Sequence, residues 1–326
     1  MISIGIESTA HTIGIGLVDE HCRILANESS TVAPETGGIH PREAANHHAE
    51  RIVPLIHSAV EKAKIDFDDL DVIAVSIGPG LGPCLRTGMT AARALSLVKD
   101  KPLIGVNHCV AHLEIGRIRT GCKSPILLYV SGGNTQVIAF TEGRYRVFGE
   151  TLDIGIGNLL DKFSRAMNLG FPGGPEVEKI ALQGKEFIEL PYSVKGMDVA
   201  FSGMLTAALE SHKRGASIQN LCYSIQEIAF AMLTEVSERA MAHLNREEIL
   251  LGGGVACNHR LQSMVLKMAT DRGAKMYVPE DNLCVDNGAM IAWTGLLMFR
   301  SGHRLKINES FINQRYRTDQ VEVTWI

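Results

Sequence analysis

Short apolar runs separated by polar turns recur along the chain, with the same order of elements in each half. Apolar runs bounded by turn residues predict buried strands, and apolar positions at helical spacing predict helices. In the first half the pattern predicts strands at 2–7, 13–18, 23–28, 72–77 and 103–106 and helices at 43–64 and 88–98. In the second half it predicts strands at 126–130, 136–140, 144–148, 248–251 and 275–278 and helices at 158–167, 176–183, 218–244, 258–272 and 286–300.

The repeat predicts duplication of a whole α/β domain, because it is too long for a solenoid and 326 residues are many for one core. We expect a first domain at 1–112 and a second at 113–288, with the last helix and the tail, about 289–326, packing back on the first. The segment from 307 onwards lacks periodicity, so an extended surface tail is expected there. A loop rich in Gly and Pro is predicted at 34–41.

Composition and charge narrow the class of protein. The chain is 45% hydrophobic and 21% charged, as in ordinary soluble proteins, and its net charge of −4 argues against holding nucleic acid by bulk electrostatics. The final part of the chain carries a basic cluster that is either a local RNA contact or a solvated surface: Arg300, His303, Arg304, Lys306, Arg315 and Arg317.

The cysteines and the apolar runs predict the compartment. Seven cysteines without a CxxC pair indicate neither a disulfide framework nor a thiolate zinc site, so a reducing, cytoplasmic setting is expected. The sequence begins directly with a strand, and no apolar run approaches the roughly 20 residues that a membrane span needs. We therefore expect no membrane association.

Two histidines are the first candidate for chemistry. His108 and His112 stand four residues apart, so on a helix they share one face and can bind one metal ion. A zinc protease of the HExxH type needs glutamate after the first histidine, and Cys109 stands there instead. Tyr129 and Asp286 are possible oxygen ligands of a site for iron(II), zinc or magnesium. Alternatively, the two histidines are surface or core residues without a metal, and Tyr129 only packs in the core.

Glycine-rich turns are the second candidate. The turn at 131–135, SGGNT, follows the predicted strand ILLYV, and its backbone N–H groups can face a phosphate. The glycines at 252–254 end another strand, before Asn258. Asp161 can accept hydrogen bonds from ribose hydroxyls, and Gly174 with Glu178 marks a helix start. Each of these features can also be explained without a ligand, either as a glycine required by a tight turn or as an exposed helix residue.

The run at 76–88, SIGPGLGPCLRTG, is similar to a phosphate loop but lacks the GKS or GKT ending of one. Arg86 can contact an anion there. The run can equally serve only to shape the surface between the two predicted domains.

Together these motifs resemble one family over essentially the whole chain. They read GIESTAHT, SIGPGLGPCLRTG, NHCVAHLE, YVSGGNTQ, GNLLDKF, FPGGPEVEK, FSGMLTA, GGGVACNHRL, DNGAMIAW and FINQRYRTD. They look like the TsaD/KEOPS catalytic subunit family, within the superfamily of actin, sugar kinases and heat-shock ATPases. Ser8-Thr9-Ala10-His11 resembles the archaeal and eukaryotic branch, because bacterial members carry a cysteine-containing sequence there. The implied fold is α/β, with duplicated actin-like (ribonuclease H-like) domains facing each other across a nucleotide-binding cleft.

The resemblance implies an acyl transfer to tRNA. The threonylcarbamoyl group of an adenylate moves to N6 of the adenosine adjoining the anticodon, in tRNAs that read codons beginning with A. The implied metal ligands are His108, His112, Tyr129 and Asp286, with iron(II) favoured and zinc or magnesium as alternatives. The implied contacts to ATP or the threonylcarbamoyl-adenylate are Tyr129, Val130, Ser131, Gly132, Gly133, Asp161, Gly174, Glu178 and Asn258.

The implied partners are the other KEOPS subunits, including a small kinase/ATPase subunit, and a tRNA held largely through them. No general base is identifiable from the sequence. Three other functions remain open: an ATPase or phosphotransferase with Glu7 as the base, a metallopeptidase, which the family's older name O-sialoglycoprotein endopeptidase suggests, and a nucleotide-gated scaffold without enzymatic activity.

Overall fold

The structure is a computed structural model that describes residues 1–32 and 40–326. Most of the predicted loop at 34–41 lies outside the described residues. The chain forms two compact units, and each is described here by itself. The first unit comprises Met1–Arg119, Glu142–Tyr145 and Val285–Ile326, and the second comprises Thr120–Thr141 and Arg146–Cys284. The division into domains at 112 and 288 stays a prediction.

The first unit is a five-stranded sheet with helices. Its elements, numbered in chain order, are β1 (Ile2–Glu7), β2 (Thr12–Asp19), β3 (Ile24–Thr31), α1 (Pro41–Ala63), β4 (Val72–Gly78), α2 (Gly82–Lys99), β5 (Leu103–Asn107), α3 (His108–Thr120) and α10 (Gly288–Arg300). The strand order is β3-β2-β1-β4-β5; the first three strands are antiparallel, and β1, β4 and β5 are parallel. The carboxyl ends of the parallel strands lie at one edge, so Glu7 at the end of β1 and the start of α3 are neighbours.

Helix α10 packs directly on this sheet because glycines permit a close approach. A Cβ on Gly5 of β1 would lie 2.2 Å from the backbone nitrogen of Ala292, and a Cβ on Gly16 of β2 would lie 2.0 Å from that of Ala289. Only glycine fits at both positions. This contact fixes the start of the helix, and with it Asp286, which lies two residues before Gly288.

The second unit repeats the plan. Its elements are β6 (Ile126–Val130), β7 (Thr135–Thr141), β8 (Arg144–Glu150, most of it in this unit), α4 (Ile156–Ala166), α5 (Gly173–Ala181), β9 (Val194–Lys195), β10 (Asp198–Val199), α6 (Ser202–Lys213), α7 (Ile218–His243), β11 (Glu248–Gly252), α8 (His259–Asp271), β12 (Lys275–Tyr277) and α9 (Asp281–Cys284). The strand order β8-β7-β6-β11-β12 matches that of the first sheet, with β6, β11 and β12 parallel. The predicted α/β duplication is confirmed.

Helices α2 and α5 begin furthest before their predicted starts, and helices α6 and α9 were not predicted. Helix α2 begins at Gly82 rather than at residue 88, and α5 begins at Gly173 rather than at 176. Both starts contain glycine and proline, which weaken a helical pattern, although proline in the first turn is compatible with a helix. Helix α6 was missed because its hydrophobic face is narrow, with only Met204 and Ala208 buried.

The C-terminal segment packs more deeply than an extended surface tail. It has no long helix, but Ser310, Thr318 and Val321 are buried. The side chain of Asn107 donates from Nδ2 to the carbonyl of Tyr316 across 3.1 Å. The expectation of a purely surface tail was wrong, because backbone and side-chain hydrogen bonds, rather than periodic apolar residues, hold this segment.

Within residues 1–32 and 40–326, no helix has the combination of length and apolar character required to cross a lipid bilayer.

Candidate metal centre and nucleotide-binding turn

The two histidines lie at the start of helix α3. His108 is its first residue, directly after β5, and His112 follows one turn later on the same face. Their side chains are almost fully buried, with exposed fractions of 4% and 2%. The predicted helical pairing is confirmed, and it places two imidazoles in the interior of the first unit.

Asp286 completes a cluster with these histidines. Its Oδ1 atom lies 3.4 Å from Nε2 of His108 and 3.4 Å from Nε2 of His112. One ligand atom from each residue lies within 4.8 Å of the others. Two ligands about 2.1 Å from one ion and at a tetrahedral angle are about 3.4 Å apart. The three residues therefore fit a single metal ion, and they form a candidate metal site.

The electrostatics of this cluster suit metal binding. Burial lowers the pKa of the His112 imidazole below its ordinary 6.5, so the neutral form that can bind a metal is favoured. Burial alone would raise the pKa of the Asp286 carboxyl, but the charge of His108 and hydrogen bonds from both histidines hold it well below its usual range. The carboxylate is thus ionised at neutral pH.

A carboxylate of the β1 strand contacts His108 from the other side. Oε2 of Glu7 lies 2.9 Å from Nδ1 of His108, and Oε1 of Glu7 accepts hydrogen bonds from the backbone N–H and the hydroxyl of Thr9. The sequence indicated Glu7 only as a base for a rival activity. The sequence signal for this contact is a charged residue at the end of a largely apolar strand. Buried charges are rare unless they are paired, so such a residue predicts a polar partner.

In the second unit, the turn at 131–134 packs against the start of helix α4. Gly157 donates its backbone N–H to the carbonyl of Ser131, and Asn158 donates to that of Gly132. A Cβ on Gly157 would lie 2.7 Å from Cα of Gly132. On the other side of the turn, Gly132 and Gly133 are exposed, and a Cβ on either would meet no atom within 4 Å. One side of the turn is therefore fixed by its contacts with α4, and the other side is exposed and accessible to a ligand.

The strand ends beside this turn also lie at one edge. Tyr129 is fully buried in β6 and pairs in register with Gly252 of β11, and Val130 is equally buried. A Cβ on Gly253 would lie 2.3 Å from the carbonyl oxygen of Val130. The predicted residues at 129–133 and the glycine cluster are therefore adjacent. Tyr129 belongs to the second unit, and its role as a metal ligand stays a prediction.

Asp161 and Glu178 are both engaged with backbone N–H groups near helix starts. Oδ1 of Asp161 accepts from the N–H of Gly173 across 2.7 Å, which fixes the start of α5 and therefore Gly174. Oε1 of Glu178 accepts from the N–H of His259 across 2.8 Å, at the start of α8. Their predicted contacts with a nucleotide remain predictions, and both carboxylates also have a structural role.

Asn258 is the N-cap of helix α8. Its Oδ1 accepts from the N–H groups of Arg260 and Leu261, and its Nδ2 donates to Gln226 of α7 across 3.0 Å. Only 6% of the residue is exposed. The sequence analysis did not predict this cap or the role of Gln226; the available signal was an asparagine at the start of a predicted helix. Asn258 therefore fixes the junction between β11 and α8, and its predicted nucleotide contact is not tested.

Three of the six residues in the basic C-terminal cluster form ion pairs with acidic neighbours. Ion pairs join Arg300 to Glu20, Lys306 to Glu309 and Arg317 to Asp319. This favours the solvated surface over an RNA contact. No disulfide joins any cysteine in the part of the chain that the structure describes.

Comparison with known proteins identifies the family. A family model described as TsaD, tRNA N6-adenosine threonylcarbamoyltransferase, matches residues 23–293. The chain belongs to this family. It is 58% identical over 326 residues to the tRNA N6-adenosine threonylcarbamoyltransferase of Thermococcus kodakarensis, covering 100% of both chains. It is 56% identical to a probable bifunctional tRNA threonylcarbamoyladenosine biosynthesis protein of Thermoplasma acidophilum, covering 100% of this chain and 61% of that protein.

Solved structures support the fold class. The activator of a 2-hydroxyisocaproyl-CoA dehydratase from Clostridium difficile, with bound ADPNP, superposes with a TM-score of 0.56 at 11% identity, covering 90% of this chain and 94% of that chain. At this identity the likeness concerns the fold alone. It is consistent with the expected pair of actin-like domains.

Proposed function

We propose that this chain transfers the threonylcarbamoyl group of threonylcarbamoyl-adenylate to N6 of the tRNA adenosine adjoining the anticodon, in tRNAs that read codons beginning with A. The observation that carries the proposal is the 58% identity, over the full length of both chains, to a tRNA N6-adenosine threonylcarbamoyltransferase. The buried cluster of His108, His112 and Asp286 agrees with it, because it is a candidate metal site in the first unit.

The metal would be held by Nε2 of both histidines and by Asp286. Two imidazoles and one carboxylate favour iron(II) or zinc over magnesium, which prefers oxygen ligands. The family resemblance favours iron(II) and adds Tyr129 as a ligand. When bound, the ion would anchor the adenylate phosphate and stabilise its negative charge. His108, His112 and Asp286 contribute by holding a rigid, water-poor site for it.

The adenylate would bind in the second unit, at the residues that the resemblance implies. The open face of Gly132 and Gly133 supports this, because the backbone N–H groups of such a turn can stabilise the charge of the leaving phosphate. Asp161 and Glu178 would bind the ribose side only through carboxylate oxygens that their backbone contacts leave available. No residue is assigned as general base.

The partners we propose are KEOPS subunits, including the small kinase/ATPase subunit, in a cytoplasmic complex. The Thermoplasma acidophilum relative carries additional chain beyond the region matched here, and its name assigns it two functions. With a net charge of −4 and a basic cluster in which three of the six residues are paired with acidic neighbours, this chain would need partners for most tRNA contacts.

The rival activities lose support at specific residues. A phosphotransferase base at Glu7 would need an available carboxylate, whereas Glu7 is fully buried between Thr9 and His108. A metallopeptidase would need a base at position 109, where Cys109 is buried and its thiol pKa is raised by burial.

The test supplies the purified chain, its partners, tRNA and labelled threonyl-carbamoyl-adenylate, followed by digestion of the tRNA to nucleosides. We expect the label in N6-threonylcarbamoyladenosine only when this chain is present. Label transfer that is equally fast without the chain would contradict the proposal.

A further inference from the structure

Glu7 is an ionisable group that the proposed reaction does not use. It ends the apolar strand β1, and its side chain has no solvent exposure. A carboxylate in such a place is strongly unfavourable unless hydrogen bonds compensate for the lost water. The partners of its two oxygens therefore indicate why it is there.

The two oxygens of Glu7 have different partners. Oε1 accepts the backbone N–H of Thr9 across 2.7 Å and also the hydroxyl of Thr9. Oε2 lies 2.9 Å from Nδ1 of His108. On the opposite side of that ring, Nε2 lies 3.4 Å from Asp286 in the candidate metal site. The imidazole thus lies between the buried carboxylate and the metal position.

We propose that Glu7 is a positioning residue that holds the His108 proton on Nδ1, so that Nε2 presents its lone pair to the metal. This inference rests on the metal site of the proposed function. A carboxylate only accepts hydrogen bonds, so a neutral imidazole beside it is stable only as the Nδ1–H tautomer. In the other tautomer, two lone pairs would face each other at 2.9 Å, and the Nε2–H would block the metal.

The matched variant is Glu7→Gln, which keeps the shape and removes the charge. The Thr9 N–H must still find an acceptor, so the glutamine carbonyl takes the place of Oε1. Its NH₂ group then faces Nδ1 of His108 and donates to it, which moves the ring proton to Nε2. The variant therefore retains paired polar groups while inverting the tautomer. We expect near-normal stability of the metal-free protein with impaired metal binding.

The experiment measures Zn²⁺ affinity by competition with a chromophoric chelator, and the tautomer of His108 by long-range ¹H–¹⁵N NMR. The His108 signals are assigned by their absence in His108→Gln. We expect His108 to carry its proton on Nδ1 in the wild type and on Nε2 in the Glu7→Gln variant. The variant should bind Zn²⁺ about 10- to 100-fold more weakly than the wild type.

Glu114→Gln is the control, because Glu114 is also a buried carboxylate and lies on helix α3 beyond the metal face. It should keep wild-type Zn²⁺ affinity. If Glu7→Gln does not fold, the wild-type spectrum alone decides: a His108 ring without a proton on Nδ1, in either the metal-free or the Zn²⁺-bound protein, overturns the proposal.

The outcomes separate this inference from the proposed function. Wild-type Zn²⁺ affinity in a folded Glu7→Gln variant would overturn the role of Glu7 and leave the metal site intact. A wild-type protein that binds no Zn²⁺ would overturn the metal site itself, and the positioning role with it. Transferase activity is not needed for either result.

Discussion

Trp325 donates its indole N–H to Oε1 of Glu114 across 2.8 Å. Glu114 lies on helix α3, two residues after His112, and it also accepts hydrogen bonds from Tyr145 and Arg117. All of these residues belong to the first unit. The C-terminal segment is thereby connected to the helix that carries both histidines, through a carboxylate that is only 3% exposed.

Replacing Trp325 with phenylalanine should destabilise the first unit. The change removes one donor to a buried carboxylate, which costs about 1 to 3 kcal/mol in free energy of unfolding. Thermal and denaturant unfolding would measure the effect. Phe311→Ala is the control, since this side chain in the same segment is exposed. Equal unfolding midpoints for Trp325→Phe and Phe311→Ala would show that the contact contributes little.

The sequence predicted the strands and long helices well because their apolar periodicity is strong. It placed β1, β2, β4, β6 and β11 within a residue or two of the structure. It missed the deep packing of the C-terminal segment, because a hydrogen bond such as that of Trp325 to Glu114 joins residues far apart in the chain and has no periodic signature. It also placed the start of α2 too late, since the glycines before Gly88 resemble a loop.

Acid should destabilise the protein through His48. Burial and, to a smaller extent, the neighbouring His47 together lower the pKa of this imidazole to about 4, although a contact of its Nε2 with the Ala10 carbonyl at 3.1 Å opposes part of the shift. The unfolded state takes up a proton near pH 6.5, and the folded state takes it up only near pH 4. The contribution of neutral His48 to the free energy of unfolding is therefore fully present above pH 6.5. It is lost as the pH falls, and the loss reaches roughly 3 kcal/mol at pH 4.

The His48→Gln variant should lose this part of the pH dependence while keeping a donor for Ala10. Urea unfolding at pH 7, 5.5 and 4 measures it, with His57→Gln as the control because His57 is exposed on the same helix. A wild-type slope in His48→Gln between pH 6.5 and 4 would assign the acid sensitivity to other groups.

Gly132→Ala tests whether the open side of the turn binds the nucleotide. Its Cβ would meet no protein atom within 4 Å, so stability should stay within about 0.5 kcal/mol of wild type. The methyl group would nevertheless occupy the space proposed for the phosphate. We expect at least about a tenfold loss of nucleotide affinity by calorimetry, equivalent to about 1.4 kcal/mol.

Gly203→Ala is the matched control, since a Cβ there also meets nothing within 4 Å and the residue lies in helix α6. In contrast, Gly157→Ala would place a methyl group 2.7 Å from the Ser131 carbonyl oxygen. That variant should lose both stability and affinity. Unchanged nucleotide binding in Gly132→Ala would remove the turn from the proposed site.

The site was only partly predictable from the sequence. The spacing of His108 and His112 indicated a metal pair, and their shared face is confirmed. Asp286 was a possible oxygen ligand that spacing alone did not select and that the family resemblance added to the site, because its approach depends on the close packing of α10 on β1 and β2, which no local pattern encodes. Asn258 was predicted only as a nucleotide contact, although asparagine at a predicted helix start is itself a signal for the N-cap that the structure shows.

Threonylcarbamoyl transfer should depend on the cluster of His108, His112 and Asp286. The most direct measurement compares wild type with the double variant His108→Ala, His112→Ala for metal content and for transfer of labelled threonine to tRNA, in the presence of the partners and the adenylate-forming enzyme. The double variant should lack the metal and lose at least about 100-fold in activity. Full transfer activity and full metal content in the double variant would contradict this expectation.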